Sequence, residues 1–213
     1  MRIIIAIALL IVVAALPASA VIVTRHVATD AEMLSYIQNI AIVAEGRIGD
    51  RGGAATFELD LGDNTGSPAT TAQYAWQSGV VEPFTLGYDK VTNVATFTLG
   101  GRVLTYSPAV SFREFFVRTR AVDSGASVRV YDLVLNGQGV GDLSAANGPD
   151  GLDILAVSGV DLSQGFTLTG VAVLTWTGAA PTQSRLAFQI KIGNAPTVPA
   201  EKSTWGKIKG IYE

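Results

Sequence analysis

From Thr56 to Ile192 the chain is a succession of short segments in which apolar and polar residues alternate, each closed by a cluster of Gly, Asn or Asp. Side chains of an extended strand point alternately to opposite faces, so such a segment buries one face and wets the other. Phe57-Glu58-Leu59-Asp60-Leu61 is a clear case, and it stops in Gly62-Asp63-Asn64-Thr65-Gly66-Ser67-Pro68. The pattern predicts further strands over residues 83–88, 94–99, 103–106, 115–121, 128–135, 154–157, 166–176 and 185–192. Asn136-Gly137, Gly100-Gly101 and Asp123-Ser124-Gly125 supply the positive-φ residues that tight connections require. Regular strand spacing without intervening helical pattern predicts an all-β fold, an antiparallel β-sandwich or jelly-roll-like single domain over residues 45–193. Residues 137–152, with five glycines, are the longest stretch without strand character and the expected binding loop.

Such a domain must rest on hydrophobic burial, because the chain has no cysteine, and its 48% apolar content permits this. Zero cysteines and a single histidine, His26, also remove most metal and nucleophile chemistry. With 15 basic residues against 18 acidic ones, nothing electrostatic favours nucleic acid, which needs clustered Lys and Arg.

Ahead of the sandwich, Met1-Arg2 carries one positive charge, an apolar run extends from Ile3 to Leu16, Pro17 breaks it, and Ala18-Ser19-Ala20 supplies small residues. These are the three parts of a secretory signal peptide, expected over residues 1–20 with cleavage after Ala20. An uncleaved anchor is the competing reading; a spanning helix needs about 20 apolar residues, a length reached here only across Pro17 and Ser19. No cysteine stands at the site to carry a lipid. The expected location is secreted, extracellular or cell-surface, with the periplasm as the alternative. Residues 21–44 form an N-terminal segment. Thr29-Asp30-Ala31-Glu32 has capping-box spacing, and Met33, Leu34, Ile37, Ile40 and Ala41 follow at helical intervals. Ile40-Ala41-Ile42-Val43 is β-branched enough for a buried strand, so we expect a short helix running into a strand that ends at Gly46.

The composition breaks again at Gly193. Residues 194–200 are a proline-bearing linker, and residues 201–213 a separate tail in which Trp205, Ile208 and Ile211 or Tyr212 recur at three to four residues among Lys202, Lys207 and Lys209. On a helix this makes an apolar stripe with a basic flank, suited to a partner's groove or an anionic membrane surface. Gly206 and Gly210 oppose a helix, which leaves a terminus without fixed structure or a strand docked on its own domain as alternatives.

Several segments together resemble one family of exported bacterial proteins. They are Phe57-Glu58-Leu59-Asp60-Leu61-Gly62, Gln73-Tyr74-Ala75-Trp76-Gln77-Ser78-Gly79, Phe84-Thr85-Leu86, Phe166-Thr167-Leu168-Thr169-Gly170 through Trp176, and Ser184-Arg185-Leu186-Ala187-Phe188-Gln189-Ile190-Lys191. They look like the choice-of-anchor W domain, a module joined to varied C-terminal sorting signals, often a Pro-Glu-Pro motif with a membrane segment and basic residues. The resemblance spans roughly residues 45–193. It implies an extracellular or surface-bound β domain of unassigned molecular function, with no catalytic residues to transfer. The tail here departs from the commonest one, since residues 198–213 fall far short of a hydrophobic span.

Candidate chemistry is sparse. Asp60, Asp63 and Asn64 in one loop, and Asp150 with Asp153 in another, offer oxygen ligands to calcium, but their spacing is not that of an EF-hand, and turn capping is the preferred explanation. Tyr74 and Trp76, two residues apart, would share a strand face as a sugar-stacking platform, or else lie in the core. A Ser-His-Asp site would have to recruit His26 from a terminus expected to be mobile, and no Gly-x-Ser-x-Gly elbow is present. No catalytic, cofactor or metal residue is therefore assigned. The expectation is an exported, non-catalytic cell-surface or matrix module, retained through sorting or anchoring machinery that reads Trp205, Ile208 and Tyr212. A carbohydrate-binding module, with polysaccharide as partner at Tyr74, Trp76 and residues 137–152, is the alternative. A glycoside hydrolase with paired carboxylates comes third.

Overall fold

A computed structural model describes residues 21–49, 57–65, 69–109 and 113–194. The signal peptide of residues 1–20, the linker beyond Asn194 and the tail with Trp205, Ile208 and Tyr212 lie outside the described residues. In chain order the elements are β1 (Val23–Val27), α1 (Asp30–Tyr36), β2 (Gln38–Ile48), β3 (Phe57–Gly62), β4 (Thr70–Gln73), β5 (Val81–Asp89), β6 (Val94–Leu99) and β7 (Arg102–Tyr106). There follow β8 (Glu114–Ala121), β9 (Ser127–Leu135), β10 (Gln138–Gly139), β11 (Ser144–Asn147), β12 (Gly151–Ser158), β13 (Phe166–Thr175) and β14 (Leu186–Asn194).

These strands form two antiparallel sheets, in the orders β1-β12-β8-β14-β2-β3-β4 and β10-β9-β13-β5-β6-β7, with β11 also paired to β9. The fold is the β-sandwich that the alternation predicts. Alternation also builds its core, because each strand turns its apolar set inward: Phe84 and Leu86 of β5, Ala95, Phe97 and Leu99 of β6, and Leu186, Phe188, Ile190 and Ile192 of β14 are buried together. Asn136 and Gly137, both at positive φ, make the two-residue hairpin that pairs β10 to β9. Gly100 and Gly101 do the same between β6 and β7.

Residues 21–44 belong to this architecture and are not a separate segment. Thr29 caps α1, its Oγ1 accepting from the Glu32 N–H at 3.1 Å while Glu32 Oε2 accepts from the Ala28 N–H at 2.9 Å. The helix runs directly into β2, as the spacing predicts. Met33 and Ile37 then bury against Val27, Phe116, Ile154 and Ala156, a second apolar cluster on the outer side of the first sheet. Asp30 anchors the helix start through two bonds from Arg118, at 2.6 and 2.8 Å. The strand does not end at Gly46 but runs on to Ile48. A Cβ at Gly46 would lie 2.4 Å from the ring of Phe188, its partner on β14, and 2.8 Å from that of Trp76, so this glycine marks a close approach of aromatic rings to β2 and not a stop.

Residues 137–152 are likewise not an open loop, since they hold β10, β11 and the start of β12. Ser144 of β11 is fully buried, its hydroxyl 3.0 Å from that of Thr119 on β8. On the opposite side of the sandwich the Thr70 hydroxyl donates to Thr105 O at 3.1 Å, tying β4 to β7.

His26 is not in a loose terminus. It sits on β1, its Nδ1 2.7 Å from Asp153 Oδ1 and its Nε2 3.4 Å from Asp142 Oδ1, while Asp153 Oδ2 accepts from the Ala145 N–H at 2.9 Å. The hydrogen bond to Asp153 raises the imidazole pKa above its ordinary value; burial opposes this, and the charges of Asp153 and Asp142 add to it. The stabilisation this gives β1 is complete below the unfolded value of about 6.5 and disappears as pH rises through the folded value. Because the chain has one histidine, its single imidazole proton resonance reads this directly. We expect its titration midpoint above 6.5 in the wild type and a lower one in D153N; equal midpoints would reject the clamp.

Candidate functional site

The site follows from strand register. β2 and β3 pair so that Glu45 faces Asp60 and Arg47 faces Glu58. Ile42, Ala44 and Ile48 of β2, with Leu59 and Leu61 of β3, are buried in the core. The intervening Glu45, Arg47, Glu58 and Asp60 must therefore share the outer face of the first sheet. Arg47 Nη2 lies 2.6 Å from Asp60 Oδ2 and also pairs with Glu58 Oε1, and Nη1 is 3.4 Å from Glu45 Oε2. All four are deeply set: Glu45, Glu58 and Asp60 are 8%, 6% and 4% exposed, and the Arg47 side chain 13%.

Three carboxylates thus share one guanidinium away from bulk water. Burial pushes the Asp60 pKa up to about 7, and the Glu58 and Glu45 charges add to it while Arg47 opposes. Asp60 Oδ1 and Arg47 Nε have no hydrogen-bond partner among the described residues. Both residues line one cavity of about 350 Å³, together with Glu45, Asn64, Ser184 and Gln189, a volume at the small end of the usual range for ligand pockets. Lys191 of β14 places its Nζ 3.4 Å from Oδ1 of Asn64 in the cavity lining, and burial lowers its pKa. A concave, polar seat with an unused donor and an unused acceptor suits a ligand that both accepts and donates hydrogen bonds.

Converging carboxylates are also what a glycoside hydrolase needs, but there the scissile bond lies between them. Here the Arg47 guanidinium stands between Glu58 and Asp60, bonded to both, and fills that space. Among the described residues no group of three or more His, Cys, Asp or Glu could hold a metal ion. Three of the candidate calcium ligands have other tasks. Asp63 accepts from the Thr65 N–H at 2.9 Å, Asp60 binds Arg47, and Asp153 binds His26.

Tyr74 and Trp76 do not form an open sugar platform. β4 ends at Gln73, so neither lies on a strand face. Trp76 is 4% exposed, edge-on to Tyr74 at 5.0 Å and to Phe188 at 6.2 Å. Tyr74 covers the hairpin at Gly100, where a Cβ would sit 2.1 Å from its ring, and burial pushes its pKa up to about 12. The residues that do meet, Glu45, Arg47 and Glu58, escape motif reading; the signal available was Glu45-x-Arg47 and Glu58-x-Asp60, each pair at same-face spacing. No protein-family model matches the chain, and no curated protein matches it.

Two outcomes follow. Folded Asp60 keeps a proton between about pH 4 and pH 7 that the unfolded chain releases, so stability falls as pH rises through that window, by an upper bound of roughly 4 kcal/mol. Urea unfolding at a series of pH values should show this slope in the wild type and its loss in D60N; identical slopes would exclude the raised value. Trp76 Nε1 has no acceptor among the described residues, so W76F removes no hydrogen bond. It should cost roughly 1–2 kcal/mol against roughly 3–5 for W76A, whereas near-zero cost for both would return Trp76 to the surface.

Proposed function

We propose that this chain is an exported, non-catalytic β-sandwich of the cell surface or extracellular matrix that binds carbohydrate in the cavity at Arg47. The observation that carries the reading is the juxtaposition, in one cavity, of a buried acceptor on Asp60 and a donor on Arg47 that find no partner among the described residues. A sugar hydroxyl donates and accepts at once, and such a group satisfies both atoms, each costly while unmade. The side-chain amide of Gln189 at the same cavity offers further hydrogen bonds in either direction.

Export rests on the first 20 residues, whose charge, apolar run and small-residue site match a signal peptide. The resemblance to choice-of-anchor W domains supports the same destination, and retention is assigned to the tail with Trp205, Ile208 and Tyr212. A non-catalytic role is supported by the guanidinium that occupies the space between Glu58 and Asp60.

A glycan array probed with the exported wild-type protein and with E45Q tests the ligand class. We expect binding to a subset of glycans, weakened at least threefold in E45Q. An array that stays blank, or one on which both proteins bind alike, removes carbohydrate recognition from this cavity.

A further inference from the structure

Resting on that reading of the cavity, we propose that its ligand is an oligosaccharide in which the unit beside the Arg47 seat carries an acetamido group. A second cavity, of about 300 Å³, adjoins the first. Asp63 and Asn64 line both, so the two share one wall. That wall is held in place: Asp63 Oδ1 accepts from the Thr65 N–H at 2.9 Å, and Lys191 Nζ donates to Asn64 Oδ1 at 3.4 Å. A seat fixed before the ligand arrives loses less freedom on binding. β2 lines both cavities, with Glu45 and Arg47 in the first and Asn39 and Ile40 in the second. From Arg47 to Ile40 that strand covers roughly 23 Å at about 3.3 Å per residue. A single sugar ring does not reach so far; a chain of rings does.

The chemistry changes along this cleft. Around Arg47 the lining is ionic and polar. In the second cavity Leu34 of α1, Ile37 at the end of that helix and Ile40 of β2 form an apolar patch beside the amides of Asn39 and Asn64. Leu34 is 51% exposed, whereas Ile37 is buried in the cluster beneath the helix. An acetamido group has the same two parts: a methyl for the apolar patch, and an amide whose N–H and C=O pair with asparagine side chains. A sugar with hydroxyls alone leaves the patch against water. Polar contacts in the first cavity replace hydrogen bonds to water, so each is worth little net. Apolar burial must then supply much of the affinity. A tenfold gain, about 1.4 kcal/mol, needs roughly 55 Å² of apolar surface at about 25 cal/mol per Å². A methyl together with the C–H edge of its ring presents an area of that order.

Titration calorimetry on the full exported protein tests this with three probes: the N-acetylglucosamine tetramer, the glucose tetramer and the N-acetylglucosamine monosaccharide. We expect the first to bind at least tenfold more tightly than the monosaccharide and at least threefold more tightly than the glucose tetramer. L34Q removes the exposed apolar contact while keeping helix propensity, and should erase both advantages. E45Q should weaken all three probes alike, and the His26 resonance reports whether each variant is folded. A tetramer that binds no more tightly than the monosaccharide confines the ligand to the Arg47 cavity and overturns the inference, as do advantages that survive in folded L34Q. Equal binding of the two tetramers overturns the acetamido assignment. Binding of none removes the carbohydrate reading as well; a change of sedimentation in L34Q would then give the second cavity to another copy of the chain.

Discussion

Phe188 lies between the two sheets, its ring 6.0 Å from Phe84 of the facing sheet and 6.2 Å from Trp76, directly over Gly46. Gly46 is the cross-strand partner of Phe188 in the same sheet, and its missing side chain is the space that the Phe188 and Trp76 rings occupy. Large apolar side chains in a close-packed interior leave little freedom to shift. With Phe188 seated, β14 is fixed between β8 and β2, and the inward residues of all three strands are fixed with it.

What happens on the outer face is a consequence of that packing. A strand that buries Ile42, Ala44 and Ile48 has no choice but to turn Glu45 and Arg47 the other way, and β3 does the same with Glu58 and Asp60. The pairing register then brings four ionisable groups together. An ion network this deep is weak evidence for stability, since desolvation offsets most of the Coulombic gain. The same burial that makes the network expensive raises the Asp60 pKa.

Much of the architecture was legible in the residues. The strand at 94–99 has the bounds predicted for it, and those at β3, β5, β7, β8, β9 and β13 differ from prediction by one or two residues, because each turns apolar residues into the core. The strands that escaped are β1, β4, β10 and β11. They are short, and β1 and β4 are edges whose composition, Val-Thr-Arg-His-Val and Thr-Thr-Ala-Gln, shows little apolar alternation because one side meets solvent or a neighbouring sheet. His26 and the stretch 137–152 were read as loose for the same reason: their partners are remote in sequence, with Asp153 lying 127 residues from His26.

The sequence alone determined the class of fold, because side-chain alternation is a local property with a local cause, and it determined the absence of disulfides by having no cysteine. It also determined that Thr29 would start a helix, since the cap bonds a neighbour three residues away. Only the tertiary structure decided that Trp76 is core, that Gly46 lies inside a strand, and that the functional candidates are Glu45, Arg47, Glu58 and Asp60. Those are outcomes of register and of sheet-to-sheet contact, which join residues far apart in the chain.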